Sequence, residues 1–192
     1  MKMKTIIILM CICPFVFSQT KNEKEERISE SEFPEAAIEV IKSLPKDCKR
    51  LKFYKETDGE KKSFELKFKY KRKRYSLEFS DDGLIEDIEI LTKFKTINDH
   101  IKIKINNYFT SSFVKYKVIK AQQQYVYRSE LNVVTFVNDI LKNTSSEAPS
   151  FEIIAEIKSD KNRDIKEFTF NPLGEFVNFR TLNPTSYEHV LY

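Results

Sequence analysis

The chain has no tryptophan, only two histidines, three glycines and three cysteines among 192 residues. Each shortage excludes a class of chemistry. A nucleophilic triad needs a histidine beside a serine or cysteine and a carboxylate. His100 lies among charged neighbours in a helical stretch and His189 lies in the tail, and no G-x-S-x-G elbow occurs. Two distant histidines and one cysteine do not make the clustered donor set of a metal centre. Gly59, Gly83 and Gly174 each fall at a turn, so no glycine-rich loop is present to cradle a phosphate. Asp81-Asp82 reads as the start of a hairpin turn and not as a cation site. No catalytic residues, no metal ligands and no cofactor are therefore expected, and the chain is expected not to be an enzyme.

Long apolar runs are also missing. The longest, Ile6 to Phe17, is about a dozen residues, short of the roughly 20 a membrane-spanning helix needs. Lys2 and Lys4 precede it, and Val16 and Ser18 stand at positions −3 and −1 of a cleavage site before Gln19. Residues 1–18 thus read as a secretory signal peptide. The residues before Cys11 and Cys13 are Met10 and Ile12, where a lipoprotein signal wants a small side chain. Cleavage removes both cysteines and leaves Cys48 alone, which excludes an internal disulfide and a paired redox site. It also removes two of the charges behind the formal net +4, leaving about +2. That is too little to support nucleic-acid binding. A periplasmic or secreted location follows, without stable membrane insertion after cleavage.

What is present is phenylalanine, sixteen of them, and alternation. Residues 19–32 are polar and aperiodic and read as a flexible linker. A helix is expected next, with Ser31 as its cap, Pro34 and Glu35 in its first turn, Ala37, Ile38, Ile41 and Leu44 as an apolar stripe, and Pro45 as its stop. Strand patterning follows. Leu51 and Phe53 alternate with Lys52 and Tyr54. Phe64, Leu66, Phe68 and Tyr70 alternate with Glu65, Lys67 and Lys69. Tyr75, Leu77 and Phe79 alternate with Arg74, Ser76 and Glu78. Such period-2 runs mark half-buried antiparallel strands. Carboxylates alternating with lysines along them read as a solvated face. Thr57-Asp58-Gly59 and Asp81-Asp82-Gly83 are turns, and Leu84 to Leu91 is a fourth strand.

The pattern then recurs. Ile97, Ile101, Ile105 and Tyr108 have helical spacing, Phe113 to Ala121 is strand-like, and Phe151 to Ile157 alternates. Phe168 and Phe170 follow, then the turn Asn171-Pro172-Leu173-Gly174 and a closing strand to Leu182. The expected organisation is a first unit over 33–92 and a second over 93–192. The second carries an insertion at about 122–150, with a helix at about 130–143.

Phe33-Pro34-Glu35-Ala36-Ala37-Ile38, Lys52-Phe53-Tyr54-Lys55-Glu56, Phe64-Glu65-Leu66 and Tyr75 through Gly83 resemble the PepSY-like family, also described as like the β-lactamase-inhibitor protein. The match covers most of 33–92 and, more faintly, 97–182. It departs from the family at Lys71-Arg72-Lys73, where an Asp-Gly turn is usual, and at the insertion. The resemblance implies an exported α+β protein of two tandem units, each a helix packed on a four-stranded antiparallel sheet. It implies no reaction.

Function must then reside on a surface. Lys52, Tyr54, Lys67, Lys69 and Arg74 should project from the sheet face away from the helix, joined by Lys71, Arg72 and Lys73 at the hairpin. This basic surface with an aromatic is the candidate binding site, since Tyr and Arg are favoured at protein interfaces. The expected partner is another envelope or secreted protein, bound in an inhibitor-like or chaperone-like way. The alternative is a periplasmic carrier or sensor of a small anionic ligand.

Overall fold

The computed structural model describes residues 20–159 and 162–182. The signal-peptide reading and the tail with His189 fall outside them. Among the described residues ten strands and three α-helices form in chain order. The strands are β1 (Thr20–Lys21), β2 (Glu23–Ile28), β3 (Lys49–Asp58), β4 (Lys61–Tyr70), β5 (Lys73–Ser80), β6 (Ile85–Thr92), β7 (Lys115–Val126), β8 (Ser150–Lys158), β9 (Arg163–Phe170) and β10 (Phe176–Leu182). The helices are α1 (Glu35–Lys42), α2 (Asp99–Ser112) and α3 (Val133–Lys142). Among the described residues no helix is long and apolar enough to cross a membrane.

The expectation of two tandem units, each with its own four-stranded sheet, is overturned. β2 to β10 form one continuous antiparallel sheet in which every strand pairs with the next. β6 and β7, which were to belong to different units, pair from Asp87↔Val126 to Thr92↔Ala121. Exposed strand edges are sticky, and two separate sheets would have left one at β6 and another at β7. The inserted helix α3 ties the halves further. It follows β7, yet Phe136, Val137, Ile140 and Leu141 pack in one cluster with α1 residues and with Phe64, Leu66, Leu77 and Ile88 of β4 to β6. A second cluster gathers Ile105 and Phe109 of α2 with Ala121, Phe151, Ile153, Phe168 and Phe170 of β7 to β9.

Residues 19–32, read as a linker, are the second correction. β2 pairs with β3 from Glu23↔Asp58 to Ile28↔Phe53. β1 pairs in parallel with β10, Thr20↔Thr181 and Lys21↔Leu182. Only Asn22 separates β1 from β2, yet they bond to opposite ends of the sheet. The sheet therefore curls until its two ends meet at this segment. Polarity misled the reading, because the charged side chains here find counter-charges on other strands, Lys21 with Glu167 and Glu25 with Lys67. The helix start also differs. Ser29 begins a short 3-10 turn over Glu30–Glu32, and α1 starts at Glu35 with Pro34 before it, not with Ser31 as its cap.

All three helices lie on the apolar, convex side. Phe33 anchors the start of α1, with its ring 5.2 Å from both Phe53 and Phe64 and 5.9 Å from Phe79. Cys48 packs beside this cluster, and burial, helped by Asp47, pushes its thiol up to about 11. Among the described residues no helix covers the polar, concave side of the sheet.

Gly83 shows how tightly helix and turn fit. Its φ is +82°, and a Cβ there would lie 2.6 Å from the Pro34 Cβ and 3.1 Å from the Ala37 nitrogen. Gly59, at φ +64°, has nothing within 4 Å of such a Cβ. Left-handed backbone costs alanine roughly 1–2 kcal/mol, and overpacking adds about 1–3. Gly83→Ala should therefore lower Tm by roughly 6–12 °C, about twice the loss from Gly59→Ala. Thermal circular dichroism on the two variants checks this, and equal losses would contradict the close packing at Gly83.

Candidate functional site

Alternation along the strands places a single set of side chains on the concave face. From β2 come Glu23 and Glu25; from β3, Lys52, Tyr54, Glu56 and Asp58; from β4, Ser63, Glu65, Lys67 and Lys69; from β5, Arg74, Ser76 and Glu78. Asp87 and Glu89 of β6, Lys120, Gln122 and Gln124 of β7, Glu152 of β8, Glu167 of β9 and Arg180 of β10 complete it. These side chains line two connected spaces. One is an open recess of about 860 Å³ towards the β4–β5 hairpin. The other is a smaller space of about 150 Å³ where the sheet closes.

All five of the expected site residues, Lys52, Tyr54, Lys67, Lys69 and Arg74, line the larger recess. They do not play one role. Lys67 is partly buried, and its ammonium lies 2.7 Å from Glu25 Oε1, 2.7 Å from Glu65 Oε2 and 4.9 Å from the centre of the Tyr54 ring. Burial opposes its charge, but Glu65 and Glu25 together raise its pKa well above the ordinary value. Lys67 is thus a structural cation. Lys52, Lys69 and Arg74, with Arg50, are different, because among the described residues no carboxylate lies within ion-pair distance of them. Lys69 is held below its ordinary pKa by Arg50 first, then by partial loss of hydration and by Arg74 and Lys52. Arg72 and Lys73 extend this cationic rim at the hairpin.

The backbone under the rim is strained. Lys71 and Arg72 have φ of 43° and 68°, and Arg50 has 59°. Two successive left-handed residues are the type I′ hairpin signature, normally filled by Asn-Gly. The departure at Lys71-Arg72-Lys73 is therefore one of side chain and not of turn geometry. Arg50 sits where the β3–β4 register shifts between Lys49 and Lys52.

Beneath the rim lies a belt of carboxylates that the sequence reading took for a solvated face. Glu56, Glu65 and Glu167 are each at least 95% buried. Like charges stand directly opposite at Glu25↔Glu56, Glu65↔Glu78 and Glu78↔Asp87. Such pairs are destabilising unless a proton or cation intervenes. Glu56 and Glu65 place carboxylate oxygens within 4.8 Å of one another. Burial first, then Glu65 and Glu23, push Glu56 up to about 10, so it keeps its proton at neutral pH. Glu65, for which burial alone would do the same, is kept ionised by Lys67 and by the Ser76 hydroxyl, which donates to it. Burial likewise raises Glu78, Asp87 and Glu152 well above the carboxylate range. Glu152 is also raised by Glu167 and Glu89. Gln124 donates to Asp87 at 3.0 Å and Gln122 donates to Glu89.

At the closure the charges are matched. Lys21 lies 2.8 Å from Glu23 and 3.2 Å from Glu167. Arg180 lies 2.6 Å from Glu167 and 3.8 Å from Asp58. These ion pairs join β1, β2, β3, β9 and β10. Among the described residues, Glu25, Glu56 and Glu65 place carboxylate oxygens within 4.8 Å of one another, a spacing that could hold a metal ion. The Lys67 ammonium already bridges two of the three. The belt was detectable in the sequence as carboxylates recurring at inward positions of successive strands, had the strand register been known.

No family model matches the chain, and no curated protein matches it in sequence. A solved structure shares its fold, and others are similar to a lesser degree. A DUF2874 family protein from Bacteroides ovatus superposes with a TM-score of 0.51 at 8% identity, covering 78% of this chain and 87% of that one. A provisionally periplasmic protein from Bacteroides eggerthii gives 0.49 at 11% identity, over 78% and 88%. A DUF2874 family protein from Bacteroides vulgatus, also given a provisional periplasmic name, gives 0.31 at 16%, over 81% and 96%.

Two expectations follow from the site. Replacing Lys71-Arg72 with Asn-Gly should raise Tm by a few degrees, since relief of left-handed strain is worth about 1–2 kcal/mol; an unchanged or lower Tm would contradict the strain. The second concerns Glu56. Its folded pKa of about 10 lies above the ordinary 4.5, so the native state keeps a proton that the unfolded chain releases. The stability from that proton is fully present below about pH 4.5 and is lost as pH rises towards 10. Glu56→Gln needs no proton, so it should be more stable than the wild type at pH 8, by on the order of 2 kcal/mol. The difference should shrink towards zero near pH 4.5. Urea melts at several pH values measure it, and a difference independent of pH would contradict a Glu56 that stays protonated in the fold.

Proposed function

We propose that this chain is an exported, non-enzymatic binding module of the PepSY-like kind, working in the periplasm and engaging another envelope or secreted protein through its concave sheet face. The observation that carries the reading is the cationic rim. Arg50, Lys52, Lys69 and Arg74 stand together on an open recess without a carboxylate partner among the described residues, over backbone strained at Arg50, Lys71 and Arg72. Like charges held together on strained backbone lower stability, and such features persist where a binding surface requires them. The leader Lys2 to Ser18 supports export. The short supply of histidine, cysteine and glycine supports a role without catalysis.

A carrier of a small anionic ligand is the second reading. It is favoured by the volume of the recess, about 860 Å³, which lies within the range of small-molecule sites.

The test is a cross-linking capture from envelope extract, using the protein from Gln19 onward beside a Lys69→Glu/Arg74→Glu variant. Lys67 is left intact, because removing it would strand buried Glu65 and half-buried Glu25 at a cost of about 3–5 kcal/mol and confound the result. One stoichiometric protein, lost in the variant, is expected. A partner retained by the variant would move the site elsewhere, and the absence of any specific protein would overturn the protein-binding reading.

A further inference from the structure

We infer that the rim of the recess accommodates an extended acidic polypeptide segment, with carboxylates on alternate residues, laid across the strand ends. This rests on the concave face being the binding surface and names the chemistry of what it binds. The rim cations come from successive strands and do not converge. Arg50 and Lys52 lie on β3, Lys69 on β4 and Arg74 on β5. Neighbouring strands are about 4.8 Å apart, so the row spans roughly 10 Å from β3 to β5. A compact anion such as phosphate can reach one or two of these groups. An extended chain presents same-side side chains about every 6.5–7 Å and can reach the whole row with long Lys and Arg arms.

The register adds a reason for an anion to be held there. Lys49↔Lys69, Lys52↔Lys67 and Lys69↔Arg74 are directly opposed. Of these cations only Lys67 has its counter-charges in place. Carboxylates laid over the row would relieve the repulsion that the fold leaves uncompensated. The inner positions set the depth. Going inward along β4, Lys69 gives way to Lys67 and then to Glu65, and Glu25 and Glu89 line the same recess. Carboxylates below the rim repel an anion that enters further, so the segment lies across the mouth. Tyr54 and Phe94 also line the recess and offer apolar contact beside the charges.

The test is fluorescence anisotropy with a labelled peptide of about ten residues alternating Glu and Ser, long enough to cross the row. The protein runs from Gln19 onward, in low salt. Saturable binding that weakens as salt is added is expected. Lys69→Glu/Arg74→Glu should reduce affinity at least about tenfold. A control pair, Lys115→Glu/Lys117→Glu, changes exposed lysines on β7 outside the recess and should leave it unchanged. Circular dichroism confirms that both variants fold. No saturable binding, or equal losses in both variants, would overturn the inference. So would inorganic pyrophosphate displacing the peptide at matched concentration, which would mark a compact-anion site. If the peptide fails but an envelope protein is still captured and lost with Lys69→Glu/Arg74→Glu, the acidic-segment chemistry falls and the binding surface stands. If both fail, both readings fall.

Discussion

The meeting of the two sheet ends at residues 20–28 is the constraint from which the site follows. While β1 bonds to β10 and β2 to β3, the polar faces of the strands near the closure point into a shared concave space instead of bulk water. Each group there then needs a partner, a counter-charge or a proton, because burying a charge without one is costly. The ion pairs at the closure meet that need directly. Lys21 and Arg180 both reach Glu167, and Arg180 reaches across to Asp58 on β3. The side chains that hold the ends together are the same ones that neutralise the carboxylates brought inward.

Away from the closure the charges are sorted along the strands. The middle of the concave face holds an excess of carboxylates, moderated by Lys67 and by protons on groups such as Glu56. The hairpin end holds cations with no such compensation. A charge arrangement selected only for stability would interleave the two signs, since opposite charges across a pair stabilise and like charges do not. The separation makes the mouth of the recess an electrostatic target while the carboxylates below it limit how far an anion can enter. The rigid layer behind this surface is the phenylalanine-rich core, with Phe33, Phe64 and Phe79 under α1, and Phe109, Phe168 and Phe170 under α2.

Much of this was legible in the chain. The strand patterns around Phe64–Tyr70 and Tyr75–Phe79 fall within β4 and β5, and the spacing at Ile97–Tyr108 overlaps α2. The five rim and wall residues chosen from alternation share one recess. What escaped was long-range. Glu65 and Glu78 each look like half of a solvated Lys–Glu alternation when read along their own strands. Only their pairing across β4 and β5, and the curl of the sheet over both, shows that they are buried together. The segment 20–28 reads as a linker for the same reason, since its charged residues acquire meaning only opposite Asp58, Glu56 and Glu167.

The sequence by itself determined the local periods, the turns at the glycines and the apolar set that helices would cover. These depend on side-chain alternation and backbone permissiveness, which are properties of neighbours along the chain. Tertiary structure alone decided that the strands join into one sheet, that α3 covers the first half and not the second, and that the polar face is enclosed. Those outcomes depend on which strand edges meet and on how twist accumulates over many strands, and alternation is silent on both. It states which residues share a face, but whether that face meets water or another wall of the same sheet is set by contacts between residues more than a hundred positions apart, such as Lys21 and Glu167.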